Sequence, residues 1–314
     1  MTEAVDLFGP VAKDLASIEA ALRDEIESDP SEVAQPMADL FAAGGKRLRP
    51  ALVLLAGRCG RYDLARLAPA AMAVELTHAA TLVHDDVIDR SLTRRGRPTV
   101  AAALGNEPAL VIGDFYFAKA YECAARTDSP EVVVILAEAV MGICVGEVRQ
   151  QAIRYHYGNN VSEYMRLIEA KTALLLAASC HIGALLGGLD DAQTEALTEY
   201  GRSLGLAFQI ADDVLDYTGT EDEIGKPIGH DIAEGFATLP LMLASIKVEG
   251  NQRLEGDDAR RIVDQVRASK GPEMALEQAR HHADSARESL RALPTSEATS
   301  ALAALTDYVV SRKL

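Results

Sequence analysis

The sequence predicts an all-α protein, and three observations carry that reading. Alanine and leucine dominate, tryptophan is absent and aromatics reach only 5%, a composition that favours helix over strand. Between Pro130 and Pro227 there is no proline, which long helices permit and a loop-rich β protein rarely shows. No Asn-Gly or Asp-Gly pair stands between alternating strands to signal a hairpin.

Breaks are expected near Gly44–Gly45, Arg94–Pro98, Thr127–Pro130, Tyr157–Asn160, Gly187–Asp190, Gly219–Gly235, Gly250–Asp257 and Leu293–Ser296. Their even spread predicts a single domain, 1–314, of roughly ten or more helices. In residues 71–89 (AMAVELTHAATLVHDDVID) Val74, Leu76, Ala80, Val83, Val87 and Ile88 crowd one broad side of a helix. Residues 172–189 (TALLLAASCHIGALLGGL) carry no formal charge and approach the length of a membrane span. Ser179, His181 and glycines interrupt the run, so a buried core helix is expected and no transmembrane segment. The more charged residues 251–314 predict peripheral helices, with runs such as ARESLRAL as solvated faces.

Apolar residues make up 48% of the chain, ample for a buried core. The formal charge of -16 argues against nucleic acid as a partner, although local basic clusters can still hold a small anion. Cys59, Cys123, Cys144 and Cys180 show no CxxC spacing, and the N-terminus lacks the pattern of a signal peptide; a cytoplasmic location is expected.

HDDVIDRSLTRRG (84–96) adds three aspartates to this acidic chain, and FQIADDVLDY (208–217) repeats the pattern. On a helix, Asp85 and Asp89 share a face, as do Asp212 and Asp216, at about 6 Å between side-chain roots. Like charges at that spacing repel, and Leu82, Val83, Ile210 and Ala211 make unpaired charge costlier still. A cation relieves the repulsion. The repeated element is carboxylate alone, which selects a hard ion, Mg²⁺ ahead of Ca²⁺ or zinc, with positions left for water and phosphate. Asp85, Asp86, Asp89, Asp212, Asp213 and Asp216 are therefore the metal candidates, for Mg²⁺ and a phosphate or diphosphate.

A diphosphate also asks for cations. GGKRLRP (44–50) offers Lys46, Arg47 and Arg49 after a glycine pair, without the spacing of a P-loop. Arg94 and Arg95 follow the first cluster, and Lys171 and Lys226 stand beside apolar or glycine-containing sequence.

GGKRLRP, ELTHAATLVHDDVIDRSLTRRGRP, GNEPALVIGD, GEVRQ, EAKTALL, FQIADDVLDY and GKPIGHDIAEGFATLPL, in this order from Gly44 to Leu241, resemble the motifs of the trans-isoprenyl diphosphate synthases, the polyprenyl synthetase family. The resemblance implies a helical bundle of the isoprenoid synthase type around a deep central cavity, a homodimer and Mg²⁺ dependence. It implies condensation of an allylic diphosphate with isopentenyl diphosphate, head to tail. Asp85, Asp89 and Asp212 would hold Mg²⁺, with Asp86, Asp213 and Asp216 nearby, and Arg94, Lys171 and Lys226 would touch the leaving diphosphate. Lys46, Arg49, His78 and Arg95 match the isopentenyl diphosphate pocket. Thr172 and Gln209 match positions whose oxygens lie near the developing cation, and Glu147 and Gln150 match outer support for metal water. One departure stands out: the family's EGK-x-TLP reads EGFATLP here, with Phe236 in place of a lysine.

Product length is expected to depend on Ala80 and Thr81, one helical turn before Asp85, and on Thr77 and Val74 below them. Their small or modest size predicts an open shaft and a long-chain product, with Met141 as a candidate floor. The alternatives are a short-chain (geranylgeranyl or farnesyl) diphosphate synthase, a terpene cyclase and a noncatalytic partner subunit. The basic set in GGKRLRP argues against a cyclase, and the two intact aspartate clusters against a noncatalytic subunit.

Overall fold

The computed structural model describes residues 8–158, 160–219, 228–248, 250–254 and 256–311. Helices α1 (Ala12–Glu27), α2 (Ser31–Ala42), α3 (Leu48–Arg58) and α4 (Leu64–Ile88) lead to a minimal hairpin, β1 (Thr93–Arg94) with β2 (Arg97–Pro98). Then follow α5 (Val100–Leu104), α6 (Asn106–Ala125), α7 (Pro130–Ile153) and α8 (Val161–Ile168). A π-helical turn, Glu169–Ala173, leads into α9 (Leu174–Leu186) and α10 (Asp191–Thr218). The chain continues through α11 (His230–Ala233), α12 (Leu239–Leu243), α13 (Asp257–Ala268), α14 (Gly271–Ser289) and α15 (Glu297–Ser311). The all-α expectation holds.

Two compact units emerge, one of Met1–Val140, Ala178–Thr198 and Ala292–Leu302, the other of Met141–Ala177, Glu199–Arg291 and Ala303–Leu314. In the first, α4 packs on α3 and α6. Its burial departs from the one-sided pattern: Ala70, Ala71, Ala73, Val74, Leu76, Thr77, Ala79, Ala80 and Val83 are all enclosed, while Ile88 is exposed. An apolar helix rich in alanine can be surrounded, because small side chains let neighbours approach from every direction. The closest approach is at Gly113 of α6, where an added Cβ would stand 2.2 Å from the His84 ring.

The second unit holds two apolar clusters. Tyr164, Ile168, Ala173, Leu206, Ile210 and Val214 pack with Leu239 and Leu276, while Tyr217, Ile232 and Leu241 pack with Ile262, Val263 and Val266. Gly205 lets α10 meet the π turn, since a Cβ there would lie 2.6 Å from Ala173 Cα.

Most expected breaks coincide with turns, and the part of Gly219–Gly235 at 220–227 lies outside the described residues. Breaks at Ser28–Pro30 and Cys59–Asp63 were not legible; Asp63 shows its role only by capping α4, accepting the Ala65 N–H at 3.0 Å. The expected core helix at 172–189 falls within Val161–Leu186, the one helix among the described residues long and apolar enough for a membrane, and 61% of its apolar window is buried inside the protein. All four cysteines are free thiols.

Candidate functional site

The first cluster ends α4. The helix stays regular through Asp89, whose N–H bonds the Asp85 carbonyl at 2.8 Å, so the two carboxylates keep one face. Both are partly exposed, whereas Asp86 is only 3% exposed. The hairpin explains how Asp86 tolerates burial. Arg95 (φ 51) and Gly96 (φ 74) both adopt left-handed backbone, turning the chain back as an Asn-Gly pair would. Arg94 then faces Asp86, with Nε donating to both carboxylate oxygens at 3.0 Å and Nη2 to Oδ1 at 2.8 Å. A buried carboxylate gripped by a forked guanidinium has its charge answered within the protein.

The glycine loop brings a second set of cations to the same unit. A Cβ on Gly45 would lie 3.0 Å from Arg47 Nη1 and 3.3 Å from Arg95 Nη1, so the loop and the hairpin tip meet. Arg47 is committed to structure, bridging Glu19 and Glu75 at 2.8 Å each and lying over the Phe41 ring. Arg49 is otherwise placed. Its Nε is enclosed with no hydrogen-bond partner, and burial, opposed by Glu75 and reinforced by Arg95, lowers its pKa to about 10. Burial first, then Arg94 and Arg47, lowers Arg95 as well. His78 is held well below the usual histidine range by burial and then by Arg49, Arg95, Arg94 and Arg47, and so stays neutral. Clustered cations that repel one another around a neutral imidazole make a ready pocket for an anion. Lys46 is exposed beside them.

In the second unit, Asp212 is partly exposed while Asp213 and Asp216 are 4% and 5% exposed. Neutral donors reach both. Asp216 accepts the backbone N–H groups of His230 and Asp231, each at 3.2 Å. Asp213 accepts from Tyr164 Oη at 2.7 Å and from Gln209 Nε2 at 2.8 Å. Burial and then Asp231 push the Asp213 carboxyl up, and those two hydrogen bonds oppose the shift. Gln209 Oε1 in turn accepts from Thr172 Oγ1 at 2.7 Å.

Thr172 and Lys171 sit on the π turn, whose next residue, Leu174, returns its N–H to the carbonyl of Glu169. Such a turn adds a residue to the helix and re-aims side chains. Lys171 Nζ meets Glu147 Oε2 at 2.6 Å, and Gln151 Nε2 donates to the other oxygen of Glu147 at 2.8 Å. Gln150 is buried. Phe236 is not an empty substitution: its ring lies 5.3 Å from Arg154 Cζ, and Arg154 also pairs with Glu234 Oε2 at 2.5 Å. Lys226 lies outside the described residues.

Thus the first unit unites Lys46, Arg49, His78, Arg94 and Arg95 with Asp85, Asp86 and Asp89, and the second unites Lys171, Thr172 and Gln209 with Asp212, Asp213 and Asp216. Among the described residues no three carboxylate, imidazole or thiol groups converge on one point. Mg²⁺ characteristically takes one or two carboxylates and completes its shell with water and phosphate. The more accessible Asp85, Asp89 and Asp212 offer such oxygens.

Glu75, Arg154 and Tyr164 were missed. Glu75 stands three residues before His78, a helical spacing that hinted at a shared face; Arg154 and Tyr164 carried no signal in the sequence. Of the product-length positions, Ala80, Thr77 and Val74 are enclosed, and Thr81 turns its hydroxyl onto the His78 carbonyl at 2.7 Å. Met141, a candidate floor, is 60% exposed.

The chain matches the family described as Polyprenyl synthetase over residues 30–268. It is 37% identical to the heptaprenyl diphosphate synthase component 2 of Geobacillus stearothermophilus, over 98% of each chain. It is 34% identical to the octaprenyl diphosphate synthase of Escherichia coli (strain K12), over 96% of each. The crystal structure of a polyprenyl synthase from Caulobacter crescentus CB15, complexed with calcium and isoprenyl diphosphate, superposes with a TM-score of 0.92 at 37% identity, covering 99% of this chain and 98% of that one.

Proposed function

The chain belongs to the polyprenyl synthetase family and is a trans-prenyltransferase of the all-α isoprenoid synthase fold, and from that premise we propose how its residues divide the work. The substrates are an allylic diphosphate and isopentenyl diphosphate, joined head to tail into a long-chain trans-polyprenyl diphosphate, as the names of the heptaprenyl and octaprenyl relatives suggest. The observation that carries the reading is the clustering of Arg49, whose Nε is buried without a partner, with Arg95, brought against the glycine loop, around His78. Glu75 offers the opposing charge. With Lys46 this cluster would hold isopentenyl diphosphate, the substrate that keeps its diphosphate throughout.

Mg²⁺, when bound, would neutralise the charge that develops on the departing diphosphate. Asp85, Asp89 and Asp212 would be its ligands. Arg94, Lys171 and Lys226 would hold the leaving group directly, and the oxygens of Thr172 and Gln209 would face the allylic cation. The double bond of isopentenyl diphosphate attacks that cation, and the released diphosphate takes the proton, so no protein base is required. We take both units as parts of one catalytic domain.

A homodimer is the proposed assembly, supported by the exposed stripe of Met141, Val145 and Val148 on α7. The G. stearothermophilus relative is named as a component of its enzyme, so a second, different subunit is the competing reading. A cytoplasmic location is consistent with the acidic composition and free thiols, with the long product passed to membrane.

Incubating the purified chain with Mg²⁺, labelled isopentenyl diphosphate and farnesyl diphosphate tests all of this. Long prenols after dephosphorylation, absent with a chelator, are expected. Products that stop at geranylgeranyl length would overturn the long-chain reading of the small Ala80 and Thr81. No elongation unless a second component is added would favour the heteromer.

A further inference from the structure

Tyr164 has no place in the mechanism above, yet its hydroxyl begins a chain of hydrogen bonds that ends at the reaction. Tyr164 Oη donates to Asp213 Oδ2 at 2.7 Å, Gln209 Nε2 donates to Asp213 Oδ1 at 2.8 Å, and Thr172 Oγ1 donates to Gln209 Oε1 at 2.7 Å. As the bonds stand, the amide of Gln209 turns its NH₂ toward Asp213 Oδ1 and its carbonyl toward Thr172. That carbonyl takes the Thr172 hydroxyl's proton. With the proton so engaged, the lone pairs of the Thr172 oxygen are what remain to face outward.

From Asp213 outward, the Gln209 amide and the Thr172 hydroxyl therefore both point their negative ends away from the carboxylate, while Tyr164 donates to its other oxygen. Oxygens fixed in that sense are suited to stabilise positive charge, because they need no reorientation when it appears. Gln209 alone could flip, reversing the series, if Asp213 were itself misaligned. The Tyr164 bond resists this. Tyr164 is 3% exposed, and its ring is packed among Ile168, Ala173, Leu206 and Ile210, so its hydroxyl is held in place by the apolar cluster.

We propose that Tyr164 is a positioning residue for the condensation, acting through Asp213 to fix the Gln209 amide and the Thr172 hydroxyl toward the developing allylic cation. The proposal rests on the roles assigned to Thr172 and Gln209 under the proposed function, and adds to them a residue seven positions upstream of Lys171. It also gives Asp213 a task other than metal ligation.

The test is a double-mutant cycle on the purified full chain. Q209A is expected to slow turnover about a hundredfold, and Y164F, which removes one oxygen and keeps the ring, about tenfold. The Y164F enzyme should keep both KM values and its Mg²⁺ requirement within about twofold, since neither substrate nor metal touches the ring. Y164F/Q209A should be no slower than Q209A alone, because Tyr164 acts only through Gln209. A purely structural tyrosine would instead multiply its loss onto that of Q209A, and that result overturns the proposal. So does a Y164F enzyme with wild-type kcat. If Y164F does not fold, D213N runs the same cycle from the other end of the bond, with the same two outcomes. Failure of the underlying assignment looks different: Q209A would then turn over at the wild-type rate, and both statements would fall together.

Discussion

The two aspartate clusters share a sequence spacing and solve different electrostatic problems. In the first, the buried member, Asp86, is neutralised by a full cation, Arg94, returned to it by a hairpin. In the second, Asp213 accepts from a phenol and an amide, and the contacts of Asp216 include two backbone N–H groups. A charged partner gives a strong grip but leaves an exposed flaw if either member is lost, whereas several neutral donors share the load. The difference also divides the work, since a cation beside the cluster can reach a phosphate while a dipole chain can orient a neutral oxygen.

Substitutions can break this comparison in order of size. D85A and D212A should each cut turnover by roughly a thousandfold, measured by incorporation of labelled isopentenyl diphosphate, because each removes an accessible metal oxygen. A large loss in one variant and a small one in the other would mean that only one cluster carries metal. R94Q should destabilise the protein by about 2 kcal/mol in denaturant unfolding, by leaving the Asp86 charge buried and unanswered. The D86N/R94Q pair should recover most of that stability while remaining inactive, which separates the structural from the catalytic use of Arg94. D216N should cost only about 1 kcal/mol, since an amide oxygen can still accept one of the two backbone N–H groups.

The smallest effect is a slope with pH. His78 has its folded pKa lowered, so it contributes stability that is present above its unfolded pKa of about 6.5 and lost as pH falls through the folded value. His181 and His282 are lowered in the same direction, each by burial first. Thermal unfolding between neutral and mildly acidic pH should therefore show falling stability, less steep in H78Q. An unchanged slope would mean that burial among the arginines leaves the His78 pKa where it stands in the unfolded chain, contrary to its placement here.

Much of this was legible from local pattern. The GGKRLRP and RRG cations were read as one set, and the Gly45 approach of Arg47 and Arg95 brings them together. The role of Arg47 was not legible, because Glu19 and Glu75 reach it from 28 residues away on either side. Arg154 illustrates the same limit. Its stacking on Phe236 and its bond to Glu234 join positions 80 or more residues apart, and nothing in RYHY announces either partner.

What the sequence determined by itself is whatever rests on short spacing: the helical class, the carboxylate pairs four residues apart, and the choice of a hard cation by oxygen-only donors. What only the tertiary structure decided is which of those carboxylates is buried. Asp86, Asp213 and Asp216 look identical to Asp85 and Asp212 along the chain. Burial and the arrival of distant partners, Tyr164 from 49 residues away among them, set them apart. A helix fixes the direction in which a side chain points, but the charge state and orientation it can sustain depend on what the rest of the fold brings to meet it.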